Sequence, residues 1–240
     1  MLHHLKAIAV DLDGVLLRDT FSPILQQLVA NYGGEYSREL EARLFSCNQQ
    51  LAAVALAETL GLPLPPEQII ADYFACRDVY LAEHDGGLLP GAAAFIDRLR
   101  RLDVRLICYG GLQEAQIDAV FAGCLPAFER YVCTNAFRPG VTQIVQRVLQ
   151  LPADRVLFID DVNRVAVAAR QLGCAFIGIT GDHPHPWQAE AMAQTGVRYR
   201  FDSVAAITEP LLMQIDADPR ACFQPVAPGG QRLAGQPLPR

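Results

Sequence analysis

The chain has 240 residues, a net charge of −6 and 51% hydrophobic residues, which suits one large domain or a domain carrying an insertion. The acidic balance excludes a basic footprint for nucleic acid, and no window approaches the ~20 uninterrupted apolar residues of a membrane span. The seven cysteines (Cys47, Cys76, Cys108, Cys124, Cys133, Cys174 and Cys222) are scattered, and they read as reduced core thiols rather than a disulfide framework or a metal site. The first apolar run ends at Asp11, short of a cleavable leader, so a cytoplasmic protein is expected.

Residues 5–10 form a mostly apolar run that predicts a buried first strand. Asp11 and Asp13 follow it at i, i+2 spacing, and Gly14 permits a turn that would bring both carboxylates to one site. Two close carboxylates repel each other, and Mg²⁺ is the natural cation for a hard all-oxygen site. Residues 18–87 then show helical periodicity and no convincing strand. One helix over 22–32 stops at Gly33-Gly34. A second runs from near Ser37, with a break, to Leu60 and ends at Gly61-Leu62-Pro63. Pro65-Pro66-Glu67 starts a third, which reaches about His84 and closes at Asp85-Gly86-Gly87. A helical block of roughly 70 residues is longer than any ordinary connection between core elements.

From residue 88 the pattern alternates. Helices are predicted over 91–101, 113–122 and 141–150, a further helix ends at Leu172, and strands are predicted over 104–109, 131–134, 155–159 and 175–179. Such alternation gives a parallel sheet covered by helices on both faces, with ligands at the carboxyl ends of the strands. The polar residues gather at those ends: Asp11 and Asp13, then Tyr109-Gly110-Gly111, then Asp160-Asp161. The His183-Pro184-His185-Pro186-Trp187 stretch reads as a loop near the rim of the site, with no role assigned. From about Asp216 onward Pro and Gly dominate and apolar periodicity is lost, so 216–240 is expected to be a disordered tail.

The Asp11-Leu12-Asp13-Gly14-Val15-Leu16 sequence after a short hydrophobic strand resembles the first motif of the haloacid dehalogenase superfamily, and the similarity extends over about residues 5–213. The resemblance implies an α/β, Rossmann-like parallel sheet core over 1–17 and 88–215, with an inserted all-helical cap over 18–87. It implies that Asp11 is a nucleophile forming an aspartyl-phosphate and that Asp13 is the general acid and base. Val156-Leu157-Phe158-Ile159-Asp160-Asp161 resembles the fourth motif, so Asp161 and Asp160 join Asp11 and Asp13 as the implied metal set, with Mg²⁺ as cofactor.

Three positions depart from the family pattern. Tyr109 stands where the second motif has Thr or Ser. The matching Tyr109-Gly110-Gly111 stretch is the implied phosphate-binding element, its glycine N–H groups being suited to cradling an anion. Arg138-Pro139 stands where the third motif has Lys-Pro; Lys6, the only lysine, lies roughly 16 Å of strand away from Asp11, so Arg138 is the implied catalytic cation. Val165 stands where relatives often carry a further acid. Three functions therefore remain open: a Mg²⁺-dependent phosphomonoester hydrolase acting on a small phosphorylated metabolite, a catalytically impaired relative with a binding or assembly role, and a phosphomutase or other phosphotransferase.

Overall fold

The computed structural model describes residues 1–84, 87–117, 119–181 and 187–224. Its centre is a six-stranded, wholly parallel sheet in the order β3-β2-β1-β4-β5-β6. The strands are β1 (Ala7–Asp11), β2 (Arg105–Gly110), β3 (Arg130–Cys133), β4 (Val156–Asp160), β5 (Ala175–Ile179) and β6 (Arg200–Phe201). The helices are α1 (Phe21–Asn31), α2 (Arg38–Leu44), α3 (Gln49–Leu60), α4 (Pro66–Glu83), α5 (Ala92–Leu99), α6 (Ala119–Ala122), α7 (Val141–Gln143), α8 (Asn163–Leu172), α9 (Gln188–Thr195) and α10 (Glu209–Ala217).

Side chains alternate across a strand, so β1 feeds two cores. Ile8, Val10 and Leu12 pack with Phe95, Leu99 and Ile215 on one face. Ala7 and Ala9 face the other side with Ile107, Phe158, Val145 and Val165. Strands buried on both faces read as continuous apolar runs, which is why β1, β4 and β5 are recognisable in the sequence. β1 lies between β2 and β4, and the strand order reverses direction there; in parallel sheets that switch point opens a crevice at the carboxyl ends.

Helices α1–α4 form a third cluster of their own, built on Leu28, Val29, Leu40, Leu44 and Leu56. Their starts are locally encoded. Asp19 Oδ1 accepts from the Phe21 and Ser22 N–H groups, Ser37 from Leu40, and Asn48 from Leu51, while Pro66 occupies the first turn of α4. Several contacts tie this block to the sheet side. Gln188 Nε2 donates to buried Glu41 at 2.6 Å while its Oε1 accepts from the Asn163 N–H at 2.8 Å. Arg164 donates to the Ala42 carbonyl at 2.9 Å, and the Gln49 N–H donates to Asn135 Oδ1 at 3.0 Å. The Tyr36 and Trp187 rings stack at 5.8 Å.

Several sequence expectations change. The helix expected over 113–122 is broken: a 3₁₀ turn covers Glu114–Gln116, the chain is extended at Ile117 so that this side chain enters the core, and α6 follows. The helix expected over 141–150 starts as α7 and widens into a π-helical stretch over Ile144–Leu149, its apolar stripe still buried. α9, β6 and α10 lie in a region where no element was expected, and β6 has only two residues to show.

The expected disordered tail does not begin at Asp216. That residue lies within α10, Cys222 is buried, and the Gln224 N–H donates to the Gly196 carbonyl. The chain is held there because Asp216 clasps the segment before β1: its carboxylate accepts from the N–H groups of His3, His4 and Leu5 at 2.7, 2.9 and 2.7 Å. The expected tail over 225–240, the Asp85-Gly86 stop and the His183–Pro186 part of the rim loop lie outside the described residues. Cys108, Cys174 and Cys222 are buried, the other four are half-buried, and none is paired. Among the described residues, no helix is long and apolar enough to cross a membrane.

Burial alone would raise the Asp216 pKa, but the three N–H donors outweigh it and hold the carboxyl below its ordinary value. A lowered folded pKa means stability that is present above the unfolded value and lost as pH falls through the folded one. Asp216→Ala is expected to cost about 2–4 kcal/mol at neutral pH, because the buried Leu5 N–H loses its partner. Urea titrations at pH 7 and below pH 4 should show the wild type converging on the variant in acid; an unchanged difference would remove the clasp from this account.

Candidate active site

The Asp11–Gly14 turn is a local construction. Leu12 O accepts from the N–H groups of both Leu16 and Leu17, the Gly14 N–H donates to Leu17 O, and Gly14 has φ 78°, a conformation that a side chain resists. Leu12 is buried in the core, which turns Asp11 and Asp13 toward the crevice. Val10 pairs with Ile159, so the next residues, Asp11 and Asp160, are neighbours across β1 and β4. Asp161 follows at once. One carboxylate oxygen from each of Asp11, Asp160 and Asp161 lies within 4.8 Å of the others, and the three residues are only 7%, 1% and 4% exposed.

Burial is the main reason Asp11 and Asp160 resist ionisation. Burial, then the charges of Asp160 and Asp161, push Asp11 well above the carboxylate range, opposed by Arg138. Asp160 is pushed up to about 7 by burial and by Asp161, even though it accepts hydrogen bonds from the Tyr109 hydroxyl and the Val162 N–H. A desolvated group of like charges with oxygen-only donors fits a hard divalent cation, and the residues here that would hold one are Asp11, Asp160 and Asp161. The Asp13 carboxylate, expected as a fourth ligand, is not in this group; it faces Asp19 and Arg77 instead. Val165 is fully buried in the core beneath α8 and offers no oxygen.

Asp13 is pushed up to about 7 by burial and by Asp19, with Arg77 and Arg138 opposing. Arg77, on α4, is itself buried; it donates to the Gln116 carbonyl at 3.2 Å, while its Nε has no hydrogen-bond partner among the described residues. Asp19, Arg77, Asn135 and Tyr73 all belong to this neighbourhood and were not read from the sequence. A buried arginine inside a helix of ordinary composition gives no pattern to find, and Asp19 reads only as the residue before a helix.

Tyr109 is not a phosphate ligand in this arrangement. It is fully buried, and its hydroxyl donates to Asp160 Oδ2 at 2.6 Å. Tyr109 and Asp160 flank Asp11 in one row on the same face of the sheet, from β2 and β4. The ring lies across β1, where Ala9 is small, and meets Phe158 edge-on at 5.9 Å. A phenol is long enough to cross a neighbouring strand, whereas a Thr or Ser hydroxyl would stop at its own strand end. Gly110 and Gly111 do line the crevice. A Cβ on Gly111 would stand 1.9 Å from an Arg138 guanidinium nitrogen, so the missing side chain lets Arg138 lie against the loop. The Arg138 Nε is buried with no hydrogen-bond partner among the described residues, which leaves a donor suited to an anion.

Asp11, Asp13, Asp161, Gly110, Gly111 and Arg138 thus face one cleft, open to solvent, between the strand ends and the helical block. No family model matches the chain, and no curated protein sequence matches it. Solved structures do. The chain is similar to a β-phosphoglucomutase from Clostridium difficile (TM-score 0.69, 13% identity, 89% of this chain and 97% of that one). It is similar to a haloacid dehalogenase-like protein of unknown function from Agrobacterium tumefaciens (TM-score 0.64, 19% identity, 89% and 100%). It also resembles CbbY from Rhodobacter sphaeroides in complex with phosphate (TM-score 0.60, 21% identity, 84% and 96%).

Tyr109→Phe keeps the ring and removes the donor to Asp160, so it should lower stability by about 1–3 kcal/mol yet leave the affinity for inorganic phosphate within about twofold. Calorimetric titration with phosphate measures this, and a tenfold loss of phosphate affinity would restore Tyr109 as a ligand.

Proposed function

Because this chain has the fold of the haloacid dehalogenase superfamily, we propose that it is a Mg²⁺-dependent phosphomonoester hydrolase, with residues 18–87 as a cap over a core of 1–17 and 88–215. The observation that carries the proposal is the pairing of Asp11 and Asp13 on one turn, in a cleft that also holds Asp161 and Arg138. Asp11 Oδ attacks phosphorus and the bond to the ester oxygen breaks. Asp13, with a pKa near neutrality, gives its proton to the leaving alkoxide. Water then attacks the aspartyl-phosphate, Asp13 takes back a proton, and phosphate leaves with Asp11 regenerated. Asp11, Asp160 and Asp161 would hold a divalent cation, which would supply positive charge to keep those carboxylates ionised and to offset phosphoryl charge. Arg138 contributes further positive charge, and Gly111 gives it room. The helical block narrows access of water to the cleft.

A second reading has an observation in its favour. The Tyr109 hydroxyl is engaged with Asp160, so the second motif contributes no hydroxyl to the phosphate site. A binding or assembly role without turnover is consistent with that, and phosphoryl transfer to a second sugar phosphate would use the same Asp11.

Hydrolysis of p-nitrophenyl phosphate separates these. The proposal expects turnover that requires Mg²⁺, stops with EDTA, and falls by at least about 10³-fold in Asp11→Asn. Turnover that survives Asp11→Asn or needs no metal would sink it. Independently of activity, millimolar Mg²⁺ should raise the Tm of the wild type, and Asp161→Asn should abolish the shift, because binding to the folded state alone is stabilising.

A further inference from the structure

The cleft has two chemically different sides. Its floor is polar: Asp11, Asp13, Asp161 and Arg138 beside the Gly110-Gly111 backbone. Its roof comes from the helical block and is apolar, with Phe21, Leu28, Phe45, Leu56, Ile70 and Phe74 among its lining. Leu28, Phe45 and Leu56 also belong to that block's own buried core, so the cleft opens directly into the interior of the four helices. Among the described residues, the polar side chains on or beside the roof are Ser46, Cys47 and Gln49, Tyr73, Arg77 of α4 next to Asp13, and Asp19, whose Oδ1 already caps α1.

That division restricts the alcohol part of a phosphate ester. A sugar would carry several hydroxyls under the roof, and each hydroxyl buried without a partner costs more than it returns. A hydrocarbon chain or ring covers the same surface at a gain proportional to its area. The anionic end has a matching place at Arg138 and the implied cation. We propose that the preferred substrate class is a monophosphate ester of an apolar alcohol, alkyl or aryl, and that the roof of α1, α3 and α4 selects it. The proposal rests on the phosphoryl end assigned under Proposed function.

Calorimetric titration of the full chain in Mg²⁺ with methyl-, propyl- and hexylphosphonate, which cannot be hydrolysed, reads the roof directly. Affinity should rise about fourfold per added methylene until the cleft is filled. Ile70 is only half-buried, so Ile70→Gln leaves the helical core in place and should flatten that rise. In a phosphate-release assay, kcat/KM for hexyl phosphate should exceed that for glucose 6-phosphate by at least tenfold.

Equal affinity along the series, or no phosphonate binding, overturns the proposal, as does a preference for glucose 6-phosphate. Graded phosphonate binding without turnover of any ester would overturn the hydrolase and leave the apolar selection standing. Efficient turnover that favours the sugar phosphate would do the reverse.

Discussion

Mutual repulsion among Asp11, Asp160 and Asp161 is the constraint around which the cleft is arranged. All three are almost wholly removed from water; Asp11 feels the charge of the other two, and Asp160 feels that of Asp161. Left in a flexible loop, three such groups would move apart and hydrate. They remain together because β1 and β4 are buried on both faces and locked in register, with Val10 beside Ile159. The hydrophobic cores therefore hold an electrostatically unfavourable arrangement, one that a divalent cation would relieve. Strain of this kind at a strand end is commonly where a protein's chemistry is located.

Tyr109 shows how the same face both stabilises and limits the site. Its hydroxyl supplies Asp160 with a buried donor, and its ring fills the space over Ala9. That position could instead have offered a short hydroxyl to the cleft. Arg138 and Gly111 form the complementary pair: the absence of a Cβ on one admits the guanidinium of the other. The guanidinium of Arg138 thus lies over a glycine, with the Tyr109 ring withdrawn beneath toward Asp160.

The α/β architecture was legible because β1, β4 and β5 are unbroken apolar runs and because Gly and Pro punctuate the helices between them. Asp11, Asp13, Asp160 and Asp161 were legible as acids at strand ends. The direction of the Tyr109 phenol was not, since it depends on the small size of Ala9 on an adjacent strand, a relation between residues 100 positions apart. Asp13 was grouped with the metal ligands because it lies two residues from Asp11; the turn at Gly14 sends its carboxylate toward Asp19 and Arg77 instead. The break at Ile117 and the ordered segment after Asp216 were hidden for a similar reason. In both places a tertiary contact, not local propensity, decides the backbone.

The Asp216 clasp also bears on how the chain is made. Residues 7–11 are synthesised before β2 and β4, yet β1 sits in the middle of the sheet between those two strands. The N–H groups just before it find their acceptor only when residue 216 has emerged. The sheet neighbours of Asp11 and its acidic partners are all in place by residue 161, whereas the N–H groups before β1 gain their carboxylate acceptor only from residue 216, where the two ends of the fold close on each other.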